Sequence, residues 1–202
     1  ASMRLIGPKY PCSGYGGSFF RWLYSDRPKP YDSYGNGAAM RISPVAYIAT
    51  SLADVKKYSR AVTETTHNNI EGIKGAEAVA SAIFLARSGK TQTEIRDYIR
   101  HNYYPLNFTL DEIRPTYEFD SSCQGTVPQA IVAFLEANSF EDAIRNAISI
   151  GGDADTIAAI TGSIAEAYFS IPEEIAEKAL LYLDELQLDI LQRFENFRKG
   201  LR

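Results

Sequence analysis

From Ser43 onward, apolar residues recur every three or four positions, the period of a helix with one buried face. Ser43-Pro44 predicts an N-cap followed by the first helical residue. Ser51-Leu52-Ala53-Asp54 resembles a capping box, with Val55, Tyr58 and Val62 along one face beyond it. A helix from about Gly72 to Arg87 carries Ile73, Ala76, Ala80, Ile83 and Phe84 and is stopped by Gly89. Thr91-x-x-Glu94 and Thr109-x-x-Glu112 start two more. Pro128 is expected to open a helix to about Ala137, and Ser139-x-x-Asp142 another to Ile148. The last predicted helix runs unbroken from Pro172 along Ile175, Ala179, Tyr182, Leu186, Ile190, Phe194 and Phe197. No stretch alternates apolar and polar for long enough to claim a sheet. The pattern predicts an all-α bundle.

Residues 1 to about 42 read differently. Gly/Ser/Tyr-rich loops at Cys12 to Ser18 and Tyr31 to Gly37 flank a short helix near Phe19 to Leu23. No repeat, low-complexity tract or linker divides the chain, so 1–202 is expected to be a single domain.

Composition narrows the class. At 202 residues the chain can bury roughly 70% of its unfolded surface without staples. A net charge of −4 gives no basic field of the kind that nucleic-acid binders use. An anionic ligand must then be met locally, by helix N-termini and a metal. Two distant cysteines, Cys12 and Cys123, fit a reduced cytoplasmic protein better than a disulfide scaffold. No apolar run reaches the ~18 residues of a membrane helix, and the first residues do not read as a signal peptide. Neither nucleic acid nor membrane is an expected partner.

The densest candidate chemistry is Gly151-Gly152-Asp153-Ala154-Asp155-Thr156. Carboxylate and hydroxyl oxygens suit Mg²⁺, Mn²⁺ or Ca²⁺ better than zinc. Residues i and i+2 of a continuous helix diverge by about 200° and could not share an ion. The glycines let the backbone enter the helix so that Asp153, Asp155 and Thr156 converge at its first turn, where the helix dipole favours anions. Asp and Thr are also ordinary N-cap residues, so spacing alone leaves capping and metal binding both open.

Two other segments carry ligand-type groups. Ser33-Tyr34-Gly35-Asn36-Gly37-Ala38-Ala39-Met40-Arg41 combines a hydroxyl, an aromatic face, an amide and a backbone that a ligand can approach closely, although Asn-Gly is also a plain turn signal. His67, between two predicted helices, is either a cap or surface residue or a neutral donor to a phosphate or ribose hydroxyl. His101 reads as surface. Around Cys123, Ser122 to Gln129 lacks the matched base that a nucleophile needs, so Cys123 reads as a small buried hydrophobe.

The run GGDADTIAAITGSIAEAYFSIP resembles the carboxy-terminal signature of the ADP-ribosylglycohydrolase family, and SYGNGAAMR resembles its ligand-contacting loop. The resemblance extends from near Tyr10 to beyond Pro172. It implies a hydrolase that removes ADP-ribose from a modified protein or a small acceptor, with two Mg²⁺ or Mn²⁺ ions in the complete site. By the same resemblance Asp153, Asp155 and Thr156 are metal ligands, and Ser33, Tyr34, Gly35, Asn36 and His67 contact substrate. The segment from Ser122 to Gln129 lines the cleft.

The family's upstream Thr-Asp-Asp-Thr motif has no counterpart, since no Asp-Asp pair occurs in the chain. The acid/base carboxylate is therefore assigned to no residue, and amino-terminal helices are expected to be missing. Their loss would uncover apolar faces, an invitation to dimerise or swap. Two alternatives stand beside the hydrolase. One is an inactive relative that binds ADP-ribose or has a structural role, and the other is an all-α scaffold with a merely capped helix at Asp153.

Overall fold

The computed structural model describes residues 2–200, among which there are thirteen α-helices and no strand. In chain order they are α1 (Ser2–Ile6), α2 (Gly17–Tyr24), α3 (Gly37–Met40), α4 (Ser43–Ile48), α5 (Leu52–Thr63), α6 (Ile70–Arg87) and α7 (Gln92–Asn102). There follow α8 (Leu110–Ile113), α9 (Cys123–Leu135), α10 (Phe140–Ser149), α11 (Ala154–Phe169), α12 (Glu173–Leu180) and α13 (Glu185–Gly200). The expected all-α architecture holds. No helix among the described residues is long and apolar enough to cross a membrane.

α6 is the central rod. Eleven of its eighteen residues are buried, and seven of those are Gly or Ala. Apolar character all round marks a helix enclosed by others, and small side chains let its neighbours approach closely. α3, α4, α5, α7, α9 and α11 all pack against it. Asn69 starts it, accepting the Glu71 N–H at 3.0 Å, and Gly89 ends it with φ +74°. Its closest seam is with α9. A Cβ added at Gly75 would lie 2.6 Å from Cys123 Sγ.

Local signals succeeded where a side chain could close a cap. Thr91–Glu94 and Thr109–Glu112 form complete capping boxes, and Ser51 and Ser139 accept the N–H three residues on. Four expectations need correction. Ser43 lies inside α4, after an Ile42 that offers no cap. Val62 is 42% exposed and leaves the buried face of α5. Pro128 does not open α9. The helix starts at Cys123, with Ser122 Oγ accepting the Gly125 N–H at 3.1 Å, and carries the proline inside it. The lost N–H bond there is tolerated because the cap and the packing of Cys123 hold the preceding turn in place.

The fourth correction concerns the carboxy-terminal stripe. The chain breaks between α12 and α13, where Asp184 Oδ1 accepts the Gln187 N–H at 2.9 Å and Gln187 Oε1 accepts the Asp184 N–H at 3.0 Å. This reciprocal pair starts a new helix and outcompetes continuation of the old one. Leu181 and Tyr182 are left 84% and 88% exposed. Neither α12 nor α13 contains a buried residue. The accessible surface of 11,210 Å² accordingly exceeds the ~9,400 Å² expected for a folded monomer of this mass.

The α6–α9 seam makes a direct prediction. Gly75→Ala should destabilise the fold by about 1–3 kcal/mol through overpacking against Cys123, lowering the melting temperature by at least ~2 °C in a thermal denaturation. An unchanged melting temperature would show that the two helices can separate freely at this point.

Candidate active site

Three loops meet above the amino-terminal ends of α3, α9 and α11. Gly35 and Ser122 form an isolated antiparallel bridge, closed by Asn36 N–H to Ser121 O and Cys123 N–H to Tyr34 O, both 2.8 Å. This bridge fixes the Ser33–Asn36 bend against the start of α9. Asn36 is buried, and its Nδ2 donates to Asp153 Oδ2 at 2.6 Å and to Thr126 Oγ1 at 3.0 Å. Thr126 Oγ1 donates in turn to the Asp120 carbonyl at 2.9 Å. Both amide hydrogens of Asn36 are therefore engaged, which settles its orientation.

The glycine pair does what its position requires. Gly151 and Gly152 have φ of +74° and +65°, a region in which other residues are strained. A Cβ at Gly152 would also sit 2.5 Å from Tyr117 Cε1. The sharp turn delivers Asp153 to the N-cap position of α11, where its side chain makes no capping bond. Asp155 Oδ1 instead accepts the Thr156 N–H at 2.8 Å. Asp153 is thus free of a capping duty, and its carboxylate faces Asn36.

Burial pushes the Asp153 carboxyl above its ordinary range. The Asn36 amide pulls it down, while the adjacent Asp155 carboxyl pushes it up again. Two carboxyl groups in contact at a helix N-terminus have an affinity for a cation or a proton. The Thr156 hydroxyl, buried beside them, lies 3.7 Å from Met40 Sδ and also bonds the Asp153 carboxyl, pulling its pKa down.

His67 lies across the same bend. It is 5% exposed, and its Nδ1 is 3.1 Å from Arg41 Nη2 and 2.8 Å from Thr66 Oγ1. A guanidinium only donates, so Nδ1 accepts and the proton resides on Nε2. That Nε2–H faces the glycines, 3.6 Å from where a Cβ of Gly35 would stand and 3.8 Å from that of Gly37. Burial, assisted by the Arg41 charge, lowers the His67 pKa to about 4. The ring is a neutral donor at physiological pH.

The ADP-ribosylglycohydrolase family model matches residues 5–198. The chain belongs to this family. It is 29% identical over 191 aligned positions to an ADP-ribosylhydrolase ARH3 of Bos taurus, covering 72% of this chain and 52% of that protein. To the ADP-ribosylarginine hydrolase Tri1 of Pseudomonas putida (strain GB-1) it is 28% identical over 159 positions, covering 71% of this chain and 42% of that one. The chain spans about half the length of these relatives. A solved structure described as an ADP-ribosylglycohydrolase-related protein complex superimposes with a TM-score of 0.60 at 23% identity, over 85% of this chain and 72% of that chain.

Among the site residues of this family member expected from its sequence, Gly35, Asn36, His67, Asp153, Asp155 and Thr156 lie together, Asn36 bonding Asp153, Asp153 touching Asp155 and Thr156, and His67 facing Gly35. Ser33 Oγ accepts the Gly35 N–H at 3.2 Å and shapes the bend, and Tyr34 stands 53% exposed at its rim. Cys123 is fully buried, with its thiol pushed up to about 12 by burial, so it offers no thiolate. Sequence reasoning missed the supporting residues. Thr126 and Asp120 hold Asn36, Arg41 and Thr66 set the His67 tautomer, and Tyr117 braces Gly152. Arg41 and Thr126 lie in segments already singled out, but nothing local marks Asp120 or Tyr117.

The depressed His67 pKa fixes a sign. The unfolded imidazole binds its proton near pH 6.5 and the folded one near 4, so stability from the neutral ring is full above pH 6.5 and declines as pH falls toward 4. In melts at pH 7 and pH 5, His67→Gln should lose less stability on acidification than the unmodified protein. The difference should reach about 2 kcal/mol, and equal losses would contradict a buried neutral ring.

Proposed function

We propose that this chain forms the ADP-ribose-binding part of a hydrolase that cleaves the glycosidic bond between ADP-ribose and a modified protein or small acceptor. The observation that carries this reading is the 2.6 Å bond from Asn36 to Asp153. It joins two signature segments 117 residues apart at one point. Family membership supports the reaction class, and the names of the relatives support the kind of substrate.

The donor set suits a hard divalent cation. Asp153, Asp155 and Thr156 present oxygen atoms at one helix N-terminus, and the mutual repulsion of the two carboxylates favours a positive ion between them. These three residues would hold Mg²⁺ or Mn²⁺, one of the two ions of the complete site. When bound, the ion would supply positive charge that orients the ribose diol. Among the described residues no group of three or more His, Cys, Asp or Glu gathers for a metal, so further ligands come from water or from beyond this set.

The chain's own residues account for recognition. The Gly35–Gly37 backbone leaves room for a diphosphate or ribose edge, and the His67 Nε2–H donates to it without adding charge. Tyr34 covers the base or ribose from the rim. The Asn36 amide holds the Asp153 carboxylate in a fixed direction. Hydrolysis then adds the water hydroxyl to the anomeric carbon and returns a proton to the acceptor, giving free ADP-ribose. No carboxylate of this chain is assigned the acid/base role. A reducing compartment such as the cytoplasm suits the exposed Cys12 thiol, and exposed Leu181 and Tyr182 suit self-association.

A second reading, binding of ADP-ribose without turnover, is favoured by the lack, among the described residues, of a third His, Cys, Asp or Glu gathered with Asp153 and Asp155. Calorimetry with ADP-ribose, with and without Mg²⁺, and a release assay on ADP-ribosylated arginine and serine substrates separate the two. Asn36→Ala should weaken ADP-ribose binding about tenfold or more, since it frees a half-buried carboxylate to reorient. Asp155→Asn should keep the cap to Thr156 yet weaken Mg²⁺ at least tenfold. Metal titrations identical in the unmodified and Asp155→Asn proteins would remove the metal site. Absence of ADP-ribose binding would remove both readings.

A further inference from the structure

The acidic net charge conceals an asymmetry. The first 31 residues hold five basic side chains and one acidic one, whereas the remainder hold 16 basic and 24 acidic. Within this basic segment lies a cavity of about 210 Å³, lined by Ser18, Arg21, Trp22, Ser25, Pro28, Lys29 and Tyr31. It shares no lining residue with the carboxylates of Asp153 and Asp155 and is one side chain from His67, whose ring lies 5.8 Å from that of Tyr31.

Its chemistry is one-signed. Arg21 and Lys29 supply positive charge, Ser18 and Ser25 supply hydroxyls, and no carboxylate is among the lining residues. Neither cation has an acidic partner among the described residues. Arg21 is steadied by its Nη2 donating to Ser18 Oγ at 3.1 Å. Trp22 forms part of the cavity wall. It is 8% exposed, yet its indole N–H has no hydrogen-bond partner.

We infer that this cavity is a phosphate-binding site, holding one phosphate group between Arg21 and Lys29 with the Ser18 and Ser25 hydroxyls beside it. A tetrahedral oxyanion matches a guanidinium fork, an ammonium and neutral donors arranged round a space of this size. The phosphate is either free or carried by a nucleotide-type ligand whose remainder lies toward His67. The site stands on its own residues and does not require the hydrolase reading.

Trp22 is the sole tryptophan, so its emission reports occupancy directly. The protein is titrated with sodium phosphate and, separately, with ADP-ribose, at ionic strength held constant with KCl. A saturable change in emission is expected, with its midpoint raised at least tenfold in Arg21→Gln/Lys29→Gln. Both substituted side chains are exposed, and an unchanged circular dichroism spectrum and melting temperature verify that the variant is folded. Saturation by phosphate alone identifies a free-anion site. Saturation only by ADP-ribose, lost in the double variant, identifies a nucleotide-borne phosphate. Asp153→Asn should leave the phosphate titration unmoved, which separates this site from the carboxylate cleft. A lack of saturable response to either probe, or an equal response in the double variant, overturns the proposal.

Discussion

The hydrogen bond between Asn36 and Asp153 is the contact on which the candidate site rests. Each residue belongs to a loop, and neither loop's sequence places it against the other. A charge-assisted bond at 2.6 Å from a buried amide gives both a common frame. The second amide hydrogen, on Thr126, extends that frame to α9. Three helices that are distant in sequence thus agree on the position of one carboxylate. Function placed on loops is workable only when a rigid scaffold positions them, and here the backbone bridge at Gly35 and the Asn36 side chain together tie the loop to it.

That scaffold is made of small residues. Gly72 and Gly75 let the Ser33 carbonyl and Cys123 press against α6, since an added Cβ would stand 2.7 Å from the first and 2.6 Å from the second. Close approach brings the Gly35–Ser122 bridge and the His67 ring to the same end of the bundle. Glycine inside a helix costs roughly 0.5–1 kcal/mol relative to alanine, and the packing of α9 against α6 offsets it. The same economy of volume explains Gly152, where Tyr117 occupies the space that a side chain would need.

Electrostatics divides the molecule in a way that net charge does not reveal. A neutral His67, two adjacent carboxylates and a basic amino-terminal segment lie within a few side chains of one another. Burial keeps His67 uncharged, so the ring contributes direction without competing for the negative groups around it. Arg41 produces that result twice over, by its charge and by donating to Nδ1. A ligand spanning this surface meets cations at one end and anions at the other.

The helical class, most caps and the cleft's signature segments were legible in the sequence because each is local. Thr91 finds Glu94 within one turn, and the glycine pair signals a sharp entry whatever surrounds it. The reading failed where a local rule competed with a distant or unmarked partner. Pro128 resembled a helix start until Ser122 proved to be the cap, and the apolar stripe after Pro172 continued in register past the Asp184–Gln187 pair that breaks it. Periodicity cannot register such a break, because both halves keep the same spacing. Sequence by itself therefore determined which chemical groups this protein carries and in what local geometry. Only the tertiary structure decided that Asp153 faces Asn36 instead of capping α11, and that His67 is buried and neutral, since both depend on burial and on partners that no window of neighbouring residues contains.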